Sequence, residues 1–195
     1  MSSPGLRERK KQKTRWSIQE HALRLFEKQG YEQTTVDQIA AAAEVSPSTF
    51  FRYFKTKEDV VIADEYDPML LGLIAQEPGD RPFIAALRHV MSLAFDHIGA
   101  DDMERILQRT KLMVSVPALR MRMLDNFLGN VDMLAGAMAA RSGRDPSEME
   151  VRAFAGALTG AMIAAIYAWV ESGAKESLWE LLDRALAPLE AGFNV

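Results

Sequence analysis

The chain has 195 residues, 48% of them apolar, and a formal net charge of −4. This apolar content can build a substantial core in one domain or two small ones. Cys is absent, which excludes disulfides, thiolate nucleophiles and Cys-ligated metals and suits a reducing cytoplasm.

The charge is unevenly placed. Arg7, Arg9, Lys10, Lys11, Lys13 and Arg15 stand against the single acid Glu8, so the first fifteen residues carry +5. Residues 1–60 hold eleven Lys and Arg against eight Asp and Glu, or +3, whereas residues 61–195 hold twelve against nineteen, or −7. A basic arm seeks phosphate and an acidic body is repelled by it, so charge would orient the chain on DNA. No stretch reaches the ~20 consecutive apolar residues of a membrane span. The basic N-terminus has no apolar run behind it, as a signal peptide would. A cytoplasmic location without membrane association is expected.

In chain order, the first helix is expected from about Arg9 to Gln29, with Trp16, Ala22, Leu23 and Phe26 inward and Gly30 as its stop. Next, Val36, Ile39, Ala40 and Ala43 fall at i, i+3, i+4 and i+7, so a short helix packs one face inward. A turn through Glu44 and Val45 leads to Ser46, an N-cap, and to Pro47 at the first helical position, where its missing N–H is harmless. In this second short helix Phe50, Tyr53 and Phe54 anchor one side, leaving Pro47, Ser48, Thr49, Phe51 and Arg52 to look outward. Two short helices joined so tightly form a helix-turn-helix, whose second helix can fill a DNA major groove.

Thr56, with Asp59 three residues on, caps a linking helix over 57–75 in which Val60, Val61 and Ile62 run inward. The breaker-rich segment 76–82 reads as a loop. Helices are expected near Pro82–Ile98, Asp101–Val114, Pro117–Arg141, Pro146–Glu171 and Lys175–Glu190, with Asp145-Pro146-Ser147-Glu148 as a strong start and Ser172-Gly173 as a stop. Nothing alternates as a strand does. The fold class is therefore all-α, with about nine helices in a head-and-bundle layout.

The run Thr35, Val36, Ile39, Ala40, Ala43, Val45, Ser46, Thr49, Tyr53, Phe54, Lys57 and Glu58 resembles the signature of the TetR family of bacterial transcriptional regulators. So does the preceding helix, where Ala22, Leu23, Leu25 and Phe26 lead into Gly30-Tyr31 and Thr34-Thr35. The resemblance spans roughly residues 10–65, a third of the chain. Two positions depart from it: the family usually has Gly where Glu44 stands and Tyr where Phe51 stands. A left-handed conformation would cost Glu44 roughly 1 kcal/mol that Gly avoids. Phe51 lacks the hydroxyl that Tyr can offer a phosphate.

The resemblance implies a basic arm and DNA-binding head over residues 1–56 and an effector-binding and dimerisation bundle over 76–195. It implies a regulator, most simply a repressor, that binds double-stranded palindromic operator DNA as a homodimer. Two recognition helices would then lie roughly 34–36 Å apart, one turn of DNA, or a multiple of it. Thr35 is expected to meet phosphate with its hydroxyl or backbone N–H. Ser46, Pro47, Ser48 and Thr49 are candidates for base edges, and the Pro and Thr carbons for thymine methyls. Tyr53 and Lys57 are expected on phosphates, and Arg52 on either. Phe51 joins the outward face, and Lys10, Lys11, Lys13 and Arg15 are expected to reach backbone or minor groove.

In the penultimate helix Gly156, Gly160 and Ala164 form a small-residue stripe, and with Leu178, Leu182 and Leu186 of the last helix they are expected at the dimer interface. Phe95, Met103, Leu107, Met113, Met123, Phe127, Met162 and Trp169 are adaptable or aromatic groups suited to an effector pocket. An apolar or amphipathic effector, such as a fatty-acyl thioester, would fit such a lining. No cofactor, metal site or catalytic residue is expected. His89 and His97 lie about 12 Å apart along a helix, too far to share a metal, and no phosphate loop or nucleophile elbow occurs. Two other classes remain open: a DNA-binding regulator without an effector, and a helical protein-interaction module.

Overall fold

The computed structural model describes residues 6–62, 70 and 72–192. Among them helix is the only regular structure, with no strand. It folds as two compact units: a head, Met1–Ala63 with Lys111–Arg122, and a body, Asp64–Thr110 with Met123–Val195. The bundle expected over 76–195 includes residues 111–122. These residues count with the head because Leu119 is completely buried in its core and Leu112, Met113 and Val116 pack around it.

In the head, α1 spans Leu6–Gln29, α2 Val36–Ala42, α3 Pro47–Tyr53 and α4 Lys57–Ile62. Helix α1 begins three residues before the expected Arg9, so the basic arm is a helical extension. It ends at Gly30, whose φ of 87° only glycine adopts easily. Trp16, expected inward, is 53% exposed. The buried stripe of α1 begins at Ile18, four residues before Ala22 and eight before Phe26, and no described side chain ahead of Ile18 is buried. These residues pack with Tyr31, Ile39, Phe50, Phe54, Val60 and Val61. Thr56 and Asp59 cap α4 reciprocally, each backbone N–H donating to the other's side-chain oxygen.

In the body, α5 spans Phe83–Phe95, α6 Ala100–Ser115, α7 Pro117–Ser142, α8 Met149–Glu171 and α9 Leu178–Glu190. The segments of α6 and α7 nearest the break at Val116 are those that belong to the head. Three expected boundaries move. Helix α5 stops at Phe95 rather than Ile98. The motif 145–148 closes a turn instead of opening a helix: Glu148 accepts from the Asp145 N–H at 2.8 Å, but its own extended backbone breaks the helix before Met149. The last helix starts at Leu178 behind Ser177, not at Lys175.

The leucines of α9 pack on α8 and α5. Arg88 of α5 grips Asp183 of α9 with two hydrogen bonds, at 2.7 and 3.0 Å, and also meets Glu190. Hydrogen bonding to Asp183 raises the Arg88 pKa further above its already high value. By length and composition α8 could cross a membrane, although it is built largely of small residues; only 28% of its apolar stretch is buried within the chain.

Arg141, near the end of α7, has a role that no periodic pattern indicates. Its guanidinium donates to the carbonyls of Ile74, Glu77, Pro78 and Arg81 at 3.0, 3.0, 2.6 and 3.0 Å, gathering the breaker-rich loop. Removing these charge-assisted bonds while keeping the aliphatic stem, by Arg141→Met, is expected to lower stability by about 1–3 kcal/mol. It should also open the loop at 76–82 to limited proteolysis. Urea melts and peptide mapping measure both effects; unchanged values would show that water replaces the arginine at no loss.

Candidate nucleic-acid interface

The junction of α2 and α3 is built from backbone hydrogen bonds. Val45 N–H donates to Ala40 at 2.9 Å and Glu44 N–H to Ala41 at 3.2 Å, the paired bonds of a Schellman ending. This ending needs a left-handed residue, and Glu44 supplies it with φ 54°. Ser46 then reverses the chain, accepting from Thr49 N–H at 3.1 Å, and Pro47 opens α3. Helix α2 is fixed at its start by a capping box, with Gln38 N–H to the Thr35 hydroxyl at 3.2 Å and Thr35 N–H to Gln38 Oε1 at 2.9 Å. The spacing Thr35-x-x-Gln38 displays this box in the sequence.

On α3, Pro47, Ser48, Phe51 and Arg52 are exposed together with the cap Ser46, whereas Thr49 and Tyr53 are half-buried. The three hydroxyls at the start of the helix are linked: Ser46 Oγ lies 2.8 Å from Ser48 Oγ and donates to Thr49 Oγ1 at 2.9 Å. The Arg52 guanidinium sits 5.4 Å from the centroid of the Tyr53 ring. Lys10, Lys11 and Lys13 are exposed on the first turns of α1.

Two expected phosphate ligands have internal duties. Arg15 lies over the Phe54 ring at 4.7 Å and donates to the Tyr53 carbonyl at 3.4 Å, so it holds the end of α3. Lys57 donates to the carbonyls of Tyr31 and Thr34 at 2.8 and 3.1 Å, and its ammonium stands 4.1 Å from the Tyr31 ring centroid. Two of its three donors thus serve the turn between α1 and α2. The buried Tyr31 hydroxyl donates to Glu58 at 2.8 Å. Burial first, then this bond and the charge of Glu58, raise the Tyr31 pKa far above its usual value. Burial alone would also raise Glu58, but hydrogen bonds from its own backbone N–H, Tyr31 and Thr56 and the charge of Lys57 leave it below 4.5. A contact between residues 26 and 27 positions apart carries no periodic signal, which is why this lock was not read from the sequence.

The residues expected around an effector divide between the two units. Leu107 and Trp169 are buried in the body core, with Phe95, Met103, Phe127 and Met162 packed against it. Met113 packs on the head core instead, and Met123 is half-buried. A cleft of about 510 Å³ opens elsewhere in the body, between Phe83, Met138, Val151 and Phe154, with Arg81, Arg141 and Arg144 around it. The expected dimer residues also divide. Leu178, Leu182 and Leu186 form the inward face of α9 and are buried in the subunit's own core, because α9 has only one apolar stripe. Gly160 and Ala164 of α8 are exposed and Gly156 is half-buried.

Two family models cover this architecture. Residues 18–63 match the bacterial regulatory proteins of the tetR family, and residues 81–194 match the MftR C-terminal domain. The chain belongs to the TetR family. It is a DNA-binding transcriptional regulator. The regulator is 33% identical over 151 residues to the HTH-type transcriptional regulator TcmR of Streptomyces glaucescens, covering 74% of this chain and 67% of that one. It is 26% identical to the putative mycofactocin biosynthesis transcriptional regulator MftR of Mycobacterium tuberculosis, covering 95% and 94%. The repressor FadR of Thermus thermophilus, solved in complex with lauroyl-CoA, shares the fold with a TM-score of 0.57 at 24% identity, over 93% of this chain and 95% of that one.

The lock at Lys57 alters what its substitution should do. Lys57→Met is expected to lower the stability of the regulator by about 1–3 kcal/mol, since it leaves the Tyr31 and Thr34 carbonyls without this donor. A change confined to the salt slope of DNA binding would return Lys57 to the phosphate set. Because the folded pKa of Glu58 is depressed, its contribution is complete above the unfolded value near 4.5 and is lost as pH falls through the folded value. The stability gap between the native chain and Glu58→Gln should therefore narrow as pH falls below 4.5 and through the folded value, as urea melts across pH would show.

Proposed function

We infer that the regulator is a homodimeric repressor whose two heads grip a palindromic operator and whose body weakens that grip when an apolar or amphipathic small molecule binds. The observation that carries the DNA reading is the exposed outer face of α3, set off by a Schellman turn and a serine cap, beside the exposed lysines of α1. Lys10, Lys11, Lys13 and Arg52 contact phosphate, and the Thr35 hydroxyl assists, its backbone N–H being held by Gln38. Tyr53, half-buried under Arg52, reaches the backbone at the edge of the groove. Ser46, Pro47, Ser48, Thr49 and Phe51 meet the bases. A protein that binds operator DNA works where the chromosome lies, in the bacterial cytoplasm.

Dimerisation follows from α8. Its exposed small-residue face at Gly160 and Ala164 lets a second copy approach closely, and most of its apolar stretch is not buried within one chain. The effector class is supported by the apolar body core, rich in methionine and phenylalanine, and by the arginine-edged cleft; a fatty-acyl thioester, the class seen on the Thermus thermophilus repressor, has both chemistries. A ligand that binds the body better in the DNA-free arrangement must weaken operator binding by the same coupling free energy.

Fluorescence anisotropy of the full chain on DNA enriched from a random duplex pool tests this reading. Binding is expected to be sequence-dependent and to weaken steeply with salt, and Lys13→Ala should lower the slope by about 0.9 per protomer. Lauroyl-CoA should raise the apparent Kd. Gly160→Arg has open space around it within the subunit, so it should keep the fold yet sediment as a monomer with greatly weakened operator binding. A dimer that survives Gly160→Arg moves the interface off α8, and failure to enrich any sequence removes the DNA reading.

A further inference from the structure

We propose that α3 reads its operator chiefly by apolar contact with the C5-methyl groups of thymine, and that Phe51 is the side chain that reads them. The inference rests on the assignment of α3 as the recognition helix. The residues of α3, Pro47–Tyr53, include no Asn, Gln, Asp, Glu or Lys. Paired hydrogen bonds to adenine come from Asn or Gln, those to guanine from Arg or Lys, and cytosine is read by Asp or Glu. Only Arg52 remains for such a contact, and its guanidinium lies against the Tyr53 ring. The hydroxyls of Ser46, Ser48 and Thr49 are engaged with one another.

What the helix does present is carbon. Phe51 is 53% exposed, in the middle of α3. Its ring is held rather than loose: it meets the fully buried Phe50 edge to face, with centroids 5.4 Å apart and planes at 86°. Pro47 stands four residues earlier, one turn away on the same face, and is also exposed. The pair forms an apolar strip on the side of α3 turned from the core. In the major groove the only base-edge group that rewards such a strip is the thymine methyl. The arrangement also accounts for Phe at a position where a hydroxyl would favour phosphate.

Deoxyuridine tests this directly, because it keeps every hydrogen-bonding group of thymine and lacks only the methyl. The full chain is used to enrich a duplex from a random pool, and the best duplex is resynthesised with dU for dT throughout both half-sites. One buried methyl is worth about fourfold in affinity, so a symmetric site with one methyl in each half should lose about 16-fold. Phe51→Ala should bind the dT and dU duplexes within about twofold of each other, with a circular dichroism melt confirming that the variant still folds. Equal affinity of the native chain for both duplexes would overturn the proposal. So would Phe51→Ala retaining the full dT preference, which would assign the methyl to another side chain. If Phe51→Ala does not fold, the native comparison alone decides. Absence of any enriched sequence would instead overturn the assignment of α3 as a recognition helix, a separate failure.

Discussion

The presentation of α3 depends on one strained residue. Glu44 takes the left-handed conformation that closes α2 and allows Ser46 to start a new helix two residues later. Glycine adopts that conformation freely, whereas glutamate pays a steric penalty of about 1 kcal/mol. The strain persists because the surroundings over-determine the turn: two Schellman hydrogen bonds precede it, the Ser46 cap follows it, and Ala43 and Phe50 are buried on either side. Glu44 is also exposed, so this corner sets a negative charge near the start of α3.

The same economy runs through the head's cations. Of the groups that charge pattern alone would send to phosphate, Arg15 braces Phe54 and the end of α3, and Lys57 closes the turn at Tyr31 and Thr34. Both use positive charge to satisfy carbonyls and cover aromatic faces, which stiffens the platform on which α3 sits. Lys10, Lys11, Lys13 and Arg52 stay exposed to solvent, and Arg52 is the one charged residue of α3.

In the body, arginine again joins elements distant in sequence. Arg88 ties α5 to α9, and Arg141 gathers the loop ahead of α5. With α9 turned leucine-inward and these clamps in place, most of the apolar stretch of α8 is left unburied by its own chain. Met91 is buried in the body core and Met103, Met138 and Met162 pack against it, as flexible side chains at helical spacing commonly do.

The sequence by itself determined the helical class, the helix-turn-helix and its caps, because these depend on residues within a few positions of one another: Gly30, Thr35, Ser46-Pro47 and Thr56 each act on their own turn. It also exposed Glu44 and Phe51 as departures whose meaning lay in backbone angle and surface chemistry. Local pattern misled where tertiary packing decided: Trp16 has the spacing of a core residue but lies beyond the buried stripe of α1, and Pro146 has the motif of a helix start but Glu148 breaks it. Only the tertiary structure could show that Lys57 and Arg15 serve the fold, that Leu178, Leu182 and Leu186 face their own core, and that residues 111–122 belong to the head. Each of these is a choice among partners far away along the chain, and a side chain's type and local periodicity state what it can bind, not which partner folding brings to it.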